Sequence, residues 1–350
     1  MVDSGVPFIR GTNLVDGKVV NYEMRYISFE KHRELKKGHL QAEDILFTNR
    51  GEIGKIAYVD KKFDGANLNS QIAWLRSNKE RLLPKFLMGV LQSPFIQNGL
   101  QIAQNGATLQ QFTIKQLKSL KIPLPPLSIQ KEIVEKIEGF QRIIDGAKQV
   151  VENYKPQIDI SPDWEMAELG EVVNFKTGKL NSNAQEKDGI YPFFTCSKEV
   201  FRINRYSFDC EALLLSGNNA SGDFDVKHYK GKFDAYQRTY VITIKNETQL
   251  IYRYVRTFLE SKLKELKTKS IGGLTRYLTL PMITSLQLPL PPLEVQQQIV
   301  ARIEREQELV NANKELIKIF EQKIKDEIGK LWEEDVAPVD AVAREAISGL

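Results

Sequence analysis

Two stretches of the chain place apolar residues at a seven-residue repeat, which is typical of helices that pack against each other. The predicted seam residues are Ile133, Ile137, Phe140, Ile144, Ala147, Val151 and Tyr154 in the first stretch, and Ile303, Val310, Ile317, Ile324 and Leu331 in the second. We therefore predict two long helices, within residues 128–160 and 293–332, that pair as an antiparallel coiled coil. The alternative is that each helix packs separately on its own domain.

The two remaining blocks, residues 1–127 and 161–292, show a mixed pattern. In each block, short β-rich runs flank a polar, Gly-rich loop, near Gly51 in the first and near Gly217 in the second. Short helical stretches follow late in each block. This order predicts an α+β fold of two tandem α/β domains, each followed by a long helix.

A proline phrase occurs twice, immediately before each predicted helix. Ser119–Glu138 and Ser285–Glu304 align with a constant offset of 166 residues, and 12 of the 20 aligned positions are identical. Proline lacks an N–H and biases the preceding residue to extended geometry, so the shared PLPPL predicts an extended strap, with Ser128 as the N-cap of the first helix. A PxxP ligand for a partner's aromatic groove is the alternative. The repeat indicates a duplicated domain with its trailing helix.

Charge is distributed unevenly along this sequence of 42% hydrophobic and 27% charged residues, a composition typical of soluble globular proteins. The net charge of +4 is the sum of +7 in residues 1–127, +4 in residues 164–292 and −7 in the remainder. Two basic blocks favour a polyanionic partner, and the acidic segments favour another role. The sequence has no secretory signal or apolar span, and its two cysteines have no zinc spacing, so we expect a cytoplasmic protein that binds no membrane.

Several common catalytic motifs are missing from the sequence. GEIGK at Gly51 has the wrong spacing for a phosphate loop, and no GxGxxG or HExxH motif is present. The three histidines are scattered, and no pair of carboxylates stands out for acid–base work. We therefore expect no catalytic residues and no metal site, and we interpret the chain as a binding protein.

Polar loops in both blocks carry side chains of the kinds that read DNA bases. Arginine pairs with guanine in the major groove and asparagine or glutamine pairs with adenine, while glycine lets the backbone approach phosphates. The predicted DNA-binding residues are Arg10, Asn49, Arg50, Lys55, Asn67, Asn69, Gln71, Ser216, Asn218, Asn219, Tyr236, Gln237 and Arg238. Loops of this composition are also common as plain turns.

The repeated phrase resembles that of the specificity (S) subunit of type I restriction–modification systems. The resemblance extends to GVPFIRGTNL at Gly5, AEDILFTNRGEIGK at Ala42, WEMAELGEV at Trp164 and GIYPFFTCSKEV at Gly189, and so covers nearly the whole chain. It implies two target-recognition domains, each reading one half of a bipartite sequence in double-stranded DNA. It also implies that the two helices hold these domains apart as an antiparallel coiled coil.

The same resemblance implies a chain with no catalytic activity and no cofactor of its own. Two modification subunits would bind S-adenosylmethionine and methylate adenine, and restriction subunits would join them to cleave unmodified DNA. A coiled-coil adaptor that binds only proteins is the alternative. It predicts no salt-dependent DNA affinity, whereas a phosphate-binding protein loses affinity steeply as salt rises.

The resemblance is incomplete at both ends of the sequence. The second block opens with residues 164–188, which have no counterpart before Gly5, so we expect the first recognition domain to be N-terminally clipped. Residues 333–350 form a C-terminal tail with no obvious counterpart in the family.

Overall fold

The computed structural model describes residues 1–105, 111–333 and 347–348. The chain divides into two compact units. The first unit is Met1–Gln149 with Asn313–Leu350, and the second is Val150–Ala312. Each unit therefore holds one α/β domain together with a part of both long helices.

The elements are numbered in chain order. The strands are β1 (Val6–Ile9), β2 (Leu14–Val15), β3 (Gly17–Val19), β4 (Arg25–Ile27), β5 (Ile45–Thr48), β6 (Ile56–Tyr58), β7 (Asn67–Leu68), β8 (Ile72–Ser77), β9 (Glu165–Glu168), β10 (Val173–Thr177), β11 (Tyr191–Phe194), β12 (Phe201–Ile203), β13 (Phe208–Ser216), β14 (Asn218–Asn219), β15 (Val226–Ala235), β16 (Thr239–Ile244), β17 (Arg276–Tyr277), β18 (Gln287–Leu290) and β19 (Ile347–Ser348). The α-helices are α1 (Phe29–Glu34), α2 (Pro84–Gln92), α3 (Pro94–Asn105), α4 (Ile114–Lys118), α5 (Leu127–Asn153), α6 (Leu169–Val172), α7 (Tyr252–Lys269), α8 (Leu280–Thr284) and α9 (Leu293–Glu333).

The first domain is built on a sheet of strand order β19-β8-β5-β6-β3-β2, with a smaller sheet of order β4-β1-β7. The central strand β5 is buried along its whole length. Because successive side chains of a strand point to opposite faces, Ile45 and Phe47 enter a core with Phe86 of α2, whereas Leu46 enters a second core with Ile9 of β1.

The second domain repeats this arrangement with a sheet of order β10-β16-β13-β15-β11-β12. Its central strand β13 also divides its side chains between two cores. Leu213 and Leu215 pack with Phe258 of α7, and Leu214 packs with Phe194 of β11.

The central strands of the two domains correspond in their pairing, although β2 and β3 of the first domain have no counterpart in the second. In both domains a central strand lies antiparallel between two others, β8 and β6 around β5 and β16 and β15 around β13. The first domain divides the counterpart of β15 between β6 and β7. In both, the final two residues of that counterpart run parallel to an early strand, β1 with β7 and β11 with β15.

The helices α5 and α9 pair in antiparallel fashion in the first unit. Lys136 Nζ lies 3.1 Å from the Glu327 carboxylate, and the rings of Phe140 and Phe320 are 5.4 Å apart. Rising numbers on α5 thus meet falling numbers on α9. In the second unit, the hydroxyl of Tyr154, just after α5, donates to Glu306 of α9 at 3.2 Å. The predicted fold class, two α/β domains each followed by a long paired helix, is confirmed.

The predicted seam residues all face inward to some degree. The buried ones are Ile133, Ile144, Ala147, Ile303, Val310 and Leu331, and the half-buried ones are Ile137, Phe140, Val151, Tyr154, Ile317 and Ile324. The ends of the seam also pack on the domains. Ile133 and Leu331 join the core of α2, and Ile303 joins the core of α7. Helix pairing and packing on the domains therefore coexist.

A buried glutamine fixes each strap to its domain. The Gln130 side chain is fully buried, accepts from Leu83 N at 2.9 Å and donates to Arg81 O and Pro125 O, both at 2.8 Å. These three main-chain partners come from the strap and from the segment before α2. The side chain therefore joins the start of the long helix to the domain.

Gln296, also fully buried, makes the same set of bonds in the second domain. It accepts from Ile251 N at 3.2 Å and donates to Gln249 O at 2.7 Å and Pro291 O at 2.9 Å. Gln130 and Gln296 are one of the 12 identical pairs in the repeated proline phrase.

The prediction that Ser128 caps the first long helix was wrong. Helix α5 begins at Leu127, and the Pro126 carbonyl accepts the N–H groups of Ile129 and Gln130, both at 3.0 Å. A carbonyl can serve at this position even on proline, because only the N–H is lost in that residue.

Most of the C-terminal tail, residues 333–350, lies outside the described residues. Of its described part, β19 pairs antiparallel with β8, Ile347 opposite Ser77 and Ser348 opposite Arg76. In the second domain the corresponding place beside β16 is held by β10. Strand β19 thus occupies the edge position beside β8 that β10 occupies beside β16.

Candidate nucleic-acid interface

In the first domain, loops from distant parts of the sequence meet at one end of the sheet. The loop after β5 is tied to the turn between β7 and β8, because Asn49 N donates to Gln71 O at 3.0 Å. A third segment joins them where Phe112 N donates to Asn49 O at 2.8 Å and Arg50 forms a bridge with Gln111.

The second domain joins its loops through the same bonds. Gly217 N, after β13, donates to Arg238 O at 2.9 Å, and Leu278 N donates to Gly217 O at 2.8 Å. Asn218 pairs with Tyr277, as Arg50 pairs with Gln111 in the first domain. The two loop clusters are therefore equivalent constructions carrying different side chains.

Two asparagines shape these loops from within. Asn69 Oδ1 accepts from Gln71 N at 3.1 Å, and Asn219 Oδ1 accepts from Ser221 N at 2.9 Å and from Ser221 Oγ at 2.8 Å. Such bonds hold the turn in the manner of an Asx-turn. Each carboxamide still has its N–H groups, so both residues remain candidates for contact with an acceptor.

The predicted DNA-binding residues differ in their exposure. Those that are exposed are Arg50, Gln71, Gln237 and Arg238, and those that are half-buried are Arg10, Lys55, Asn69, Asn218, Asn219 and Tyr236. Half-buried Arg10 lies beside the β7–β8 turn and donates from Nη2 to Glu23 O at 2.7 Å. Gln237 donates to Asn181 Oδ1 at 3.1 Å.

Two of the predicted residues are buried and form hydrogen bonds inside the fold. Asn67 is fully buried, donates to Gly38 O at 3.1 Å and bonds to His32. The hydroxyl of Ser216, 1% exposed, accepts from Asp225 N at 2.8 Å. Because both side chains are enclosed and bonded within the fold, we leave them out of the proposed DNA surface.

Asn49 stands between these groups. Its side chain is 7% exposed, yet Oδ1 has no hydrogen-bond partner within the described part of the chain. A buried polar atom without a partner is costly, and this sets Asn49 apart from the other predicted residues.

The structure adds residues that the sequence did not single out. Tyr277 lies under Arg238, whose guanidinium carbon is 5.3 Å from the ring centroid. Cys196 Sγ lies 3.4 Å from Arg238 O. The repeat could have indicated Tyr277 and Gln111, because both occupy matching positions in the Gly/Thr patches upstream of the proline phrases.

Charge at these loops is partly neutralised within the protein. The Lys267 ammonium, 2.7 Å from Asp223, holds the pKa of that carboxyl below its usual range, with help from the Ser221 hydroxyl. Lys55 is paired with Glu52. Arg238, by contrast, has no ion pair among the residues described here, so its charge remains available to a phosphate or a base.

We found no group of three or more metal-binding side chains within the described ranges, 1–105, 111–333 and 347–348. Within the same ranges, every helix is too short or too polar to span a membrane.

Comparison with known proteins matches most of the sequence to one family. The profile described as the type I restriction modification DNA specificity domain matches residues 3–153 and 162–322. The putative type I restriction enzyme MjaX specificity subunit of Methanocaldococcus jannaschii is 26% identical across 91% of this chain and 85% of its own length.

Two further comparisons are more limited. The type I restriction enzyme EcoDI specificity subunit of Escherichia coli is 41% identical over 143 residues, which are 41% of this chain and 31% of that relative. A chain solved in work on complex assembly and conformational transition of the type I R-M system is 20% identical, with a TM-score of 0.61 over 94% of this chain and 92% of its own. At this identity the likeness concerns the fold.

Proposed function

The chain belongs to the type I restriction–modification DNA specificity family, and from this premise we propose that it reads a bipartite DNA sequence. It would do so as the non-catalytic specificity subunit of a type I complex. The observation that carries the proposal is the pair of equivalent loop clusters, each closed by the same main-chain bonds and each presenting arginine and carboxamide side chains.

Two equivalent clusters suit two half-sites. A duplicated domain presents the same backbone scaffold twice, so each copy can approach its DNA segment in the same way and differ only in the side chains that meet the bases. The positive charge of both blocks, +7 in residues 1–127 and +4 in residues 164–292, supports attraction to the phosphate backbone.

We assign the long helices to spacing and to subunit docking. Their net charge is slightly negative, −1 in α5 and −2 in α9, in contrast to the two basic blocks, and their surface carries exposed apolar side chains such as Ile143, Leu309 and Ile319. In this proposal two modification subunits bind the duplicated chain, hold S-adenosylmethionine and methylate adenine. Restriction subunits complete the complex, and the specificity subunit supplies no cofactor site.

The proposal is tested by combining the full chain with modification subunits and a DNA series in which the half-site spacing varies base pair by base pair. Methylation should peak sharply at one spacing, and binding should weaken steeply as salt rises. Arg50→Ala and Arg238→Ala should each weaken binding. Arg256→Ala is the matched control, because Arg256 is an exposed α7 residue paired with Glu260.

Two results would contradict the proposal. If methylation does not depend on the half-site spacing, the long helices do not set the distance between the two half-sites. DNA affinity that does not change with salt would favour the coiled-coil adaptor, which binds only proteins.

A further inference from the structure

We propose that Gln71 and Arg238 are equivalent base-reading positions, so that one half-site carries adenine where the other carries guanine. This inference rests on the proposed function and adds to it a specific pair of residues. It is carried by the backbone geometry of the two loop clusters and by the side chains that this geometry presents.

The equivalence is established on one side of each residue by hydrogen bonds to an early strand. In the first domain Asn69 N donates to Ile9 O, and in the second Tyr236 N donates to Phe194 O, both at 2.9 Å. Two residues later in each turn come Gln71 and Arg238.

On the other side, both carbonyls accept a bond from the residue that follows the central strand. Asn49 N donates to Gln71 O and Gly217 N donates to Arg238 O. The next residues begin the strands β8 and β16, where Ile72 lies opposite Thr48 as Thr239 lies opposite Ser216. The two side chains therefore leave the same point of the same scaffold.

Both side chains are exposed at this point and offer a planar group with two contact atoms. The guanidinium of Arg238 rests over the Tyr277 ring, which orients it without using its N–H donors. In the first domain the position equivalent to Tyr277 is Gln111, so the aromatic ring under Arg238 has no counterpart at Gln71.

The neighbouring positions are less suited to reading a base with two bonds. The side-chain oxygens of Asn69 and Asn219 accept hydrogen bonds within their own loops, and Gln237 is hydrogen-bonded to Asn181. An arginine fork fits the O6 and N7 atoms of guanine, whereas a glutamine carboxamide fits the N6 and N7 atoms of adenine. The exchange of one for the other at a common position thus predicts a single base difference.

The test exchanges the two side chains in the full chain, assembled with its modification subunits, and reads the methylated sequences from a randomised DNA pool. Gln71→Arg should change one adenine of one half-site to guanine. Arg238→Gln should change one guanine of the other half-site to adenine. Preference at that base should shift by roughly 5- to 150-fold.

Matched controls are Gln41→Arg, at the opposite end of β5, and Arg256→Gln on α7, which should leave the target sequence unchanged. Arg238→Lys keeps the charge but loses the two-bond fork, so it should relax the choice of base at the same position only. If an exchange abolishes methylation, binding by Gln71→Ala and Arg238→Ala is measured on the same pool. Relaxation at one base pair supports the inference.

An unchanged target sequence in both exchanged variants, or equal loss at every base pair, would overturn the inference while leaving the proposed function intact. Failure of the unmodified chain to select any bipartite sequence would instead overturn the proposed function.

Discussion

The two recognition domains have similar central sheets, but the edges of these sheets are covered by strands from different parts of the chain. In the second domain, β9 pairs with β18, and β10 covers the edge of β16. Strands β9 and β10 both precede the domain's central strands in the sequence. In the first domain, residues 121–124, aligned with β18, belong to no strand in the part of the chain that is described, and the edge of β8 is covered by β19. A common ladder can therefore be closed from either direction along the sequence.

A second difference lies in the cores. Tyr254 is fully buried, and its hydroxyl donates to Pro289 O at 3.0 Å, whereas Phe86 stands at the corresponding position in the first domain, three residues after Leu83. Burial raises the pKa of the Tyr254 hydroxyl far above its ordinary value. The second domain thus adds a polar anchor to its strap that the first domain does without.

The largest expected effect tests the bond set that the domains share. Gln130→Leu and Gln296→Leu each remove three hydrogen bonds and leave main-chain groups buried without partners, which should cost about 3–5 kcal/mol. Denaturant unfolding, with hydrogen exchange at the amides of Leu83 and Ile251, measures the loss. Gln297→Leu, on the exposed side of α9, is the control. A clearly smaller loss in one domain would show that the two glutamines are not equivalent.

The next effect tests the difference between the cores. Tyr254→Phe leaves Pro289 O without its buried donor and should destabilise the second unit by about 1–3 kcal/mol. Tyr206→Phe, at a 44% exposed side chain in the same unit, should change stability by less than about 0.5 kcal/mol. Differential unfolding of the two variants measures both. Equal stabilities would mean that the Tyr254 bond contributes nothing beyond packing.

A smaller effect tests how the first sheet is closed. Deletion of residues 347–350 removes β19 and should cost about 1 kcal/mol, because a two-residue ladder contributes few hydrogen bonds. Hydrogen exchange should accelerate at the amides of β8 and remain unchanged in β16, whose edge is covered by β10. Unchanged hydrogen exchange in β8 would show that β19 does not stabilise the sheet of the first domain.

The smallest effect is a difference in pH dependence between the α5–α9 contacts of the first unit and those of the second. Lys330, and then Lys136, hold the pKa of Glu327 below its ordinary 4.5, so this stabilisation is present above pH 4.5 and is lost as pH falls through the lower value. Burial and the Glu306 carboxylate raise the pKa of Tyr154 above 10, so its contribution is present below pH 10 and is lost as pH rises through the higher value.

Glu327→Gln should therefore flatten the acid side of the stability profile, and Tyr154→Phe the alkaline side, each by less than about 1 kcal/mol. Thermal unfolding across pH measures both. An effect of either variant on the opposite side would contradict the assignment.

The sequence predicted the fold well because its signals were periodic and repeated. The seven-residue spacing predicted α5 and α9, and the duplicated phrase predicted two domains of one kind. Ile328, 2% exposed, was missed because only one apolar position in every seven was followed in the second helix, whereas Ile328 is the second one, four residues after Ile324 and three before Leu331. The pairing of β19 with β8 could not be predicted, since the two strands are far apart in the sequence and no local pattern links them.

The candidate site was predictable by residue type but not by position. The loops of Arg50 and Arg238 were found because their composition suits base contact. Burial separated Asn67 from Asn69 and Ser216 from Asn218, and such distinctions depend on which residues face the sheet interior. Tyr277 was missed because its role follows from contact with Arg238, which is distant in sequence.

The bonds that close the two loop clusters join main chain to main chain. Asn49 N to Gln71 O and Gly217 N to Arg238 O use groups that every residue except proline possesses. Substitution of the side chains therefore leaves the closure in place. The scaffold therefore accommodates exchange of single loop side chains, and segments from related chains can be grafted between these fixed points without its redesign.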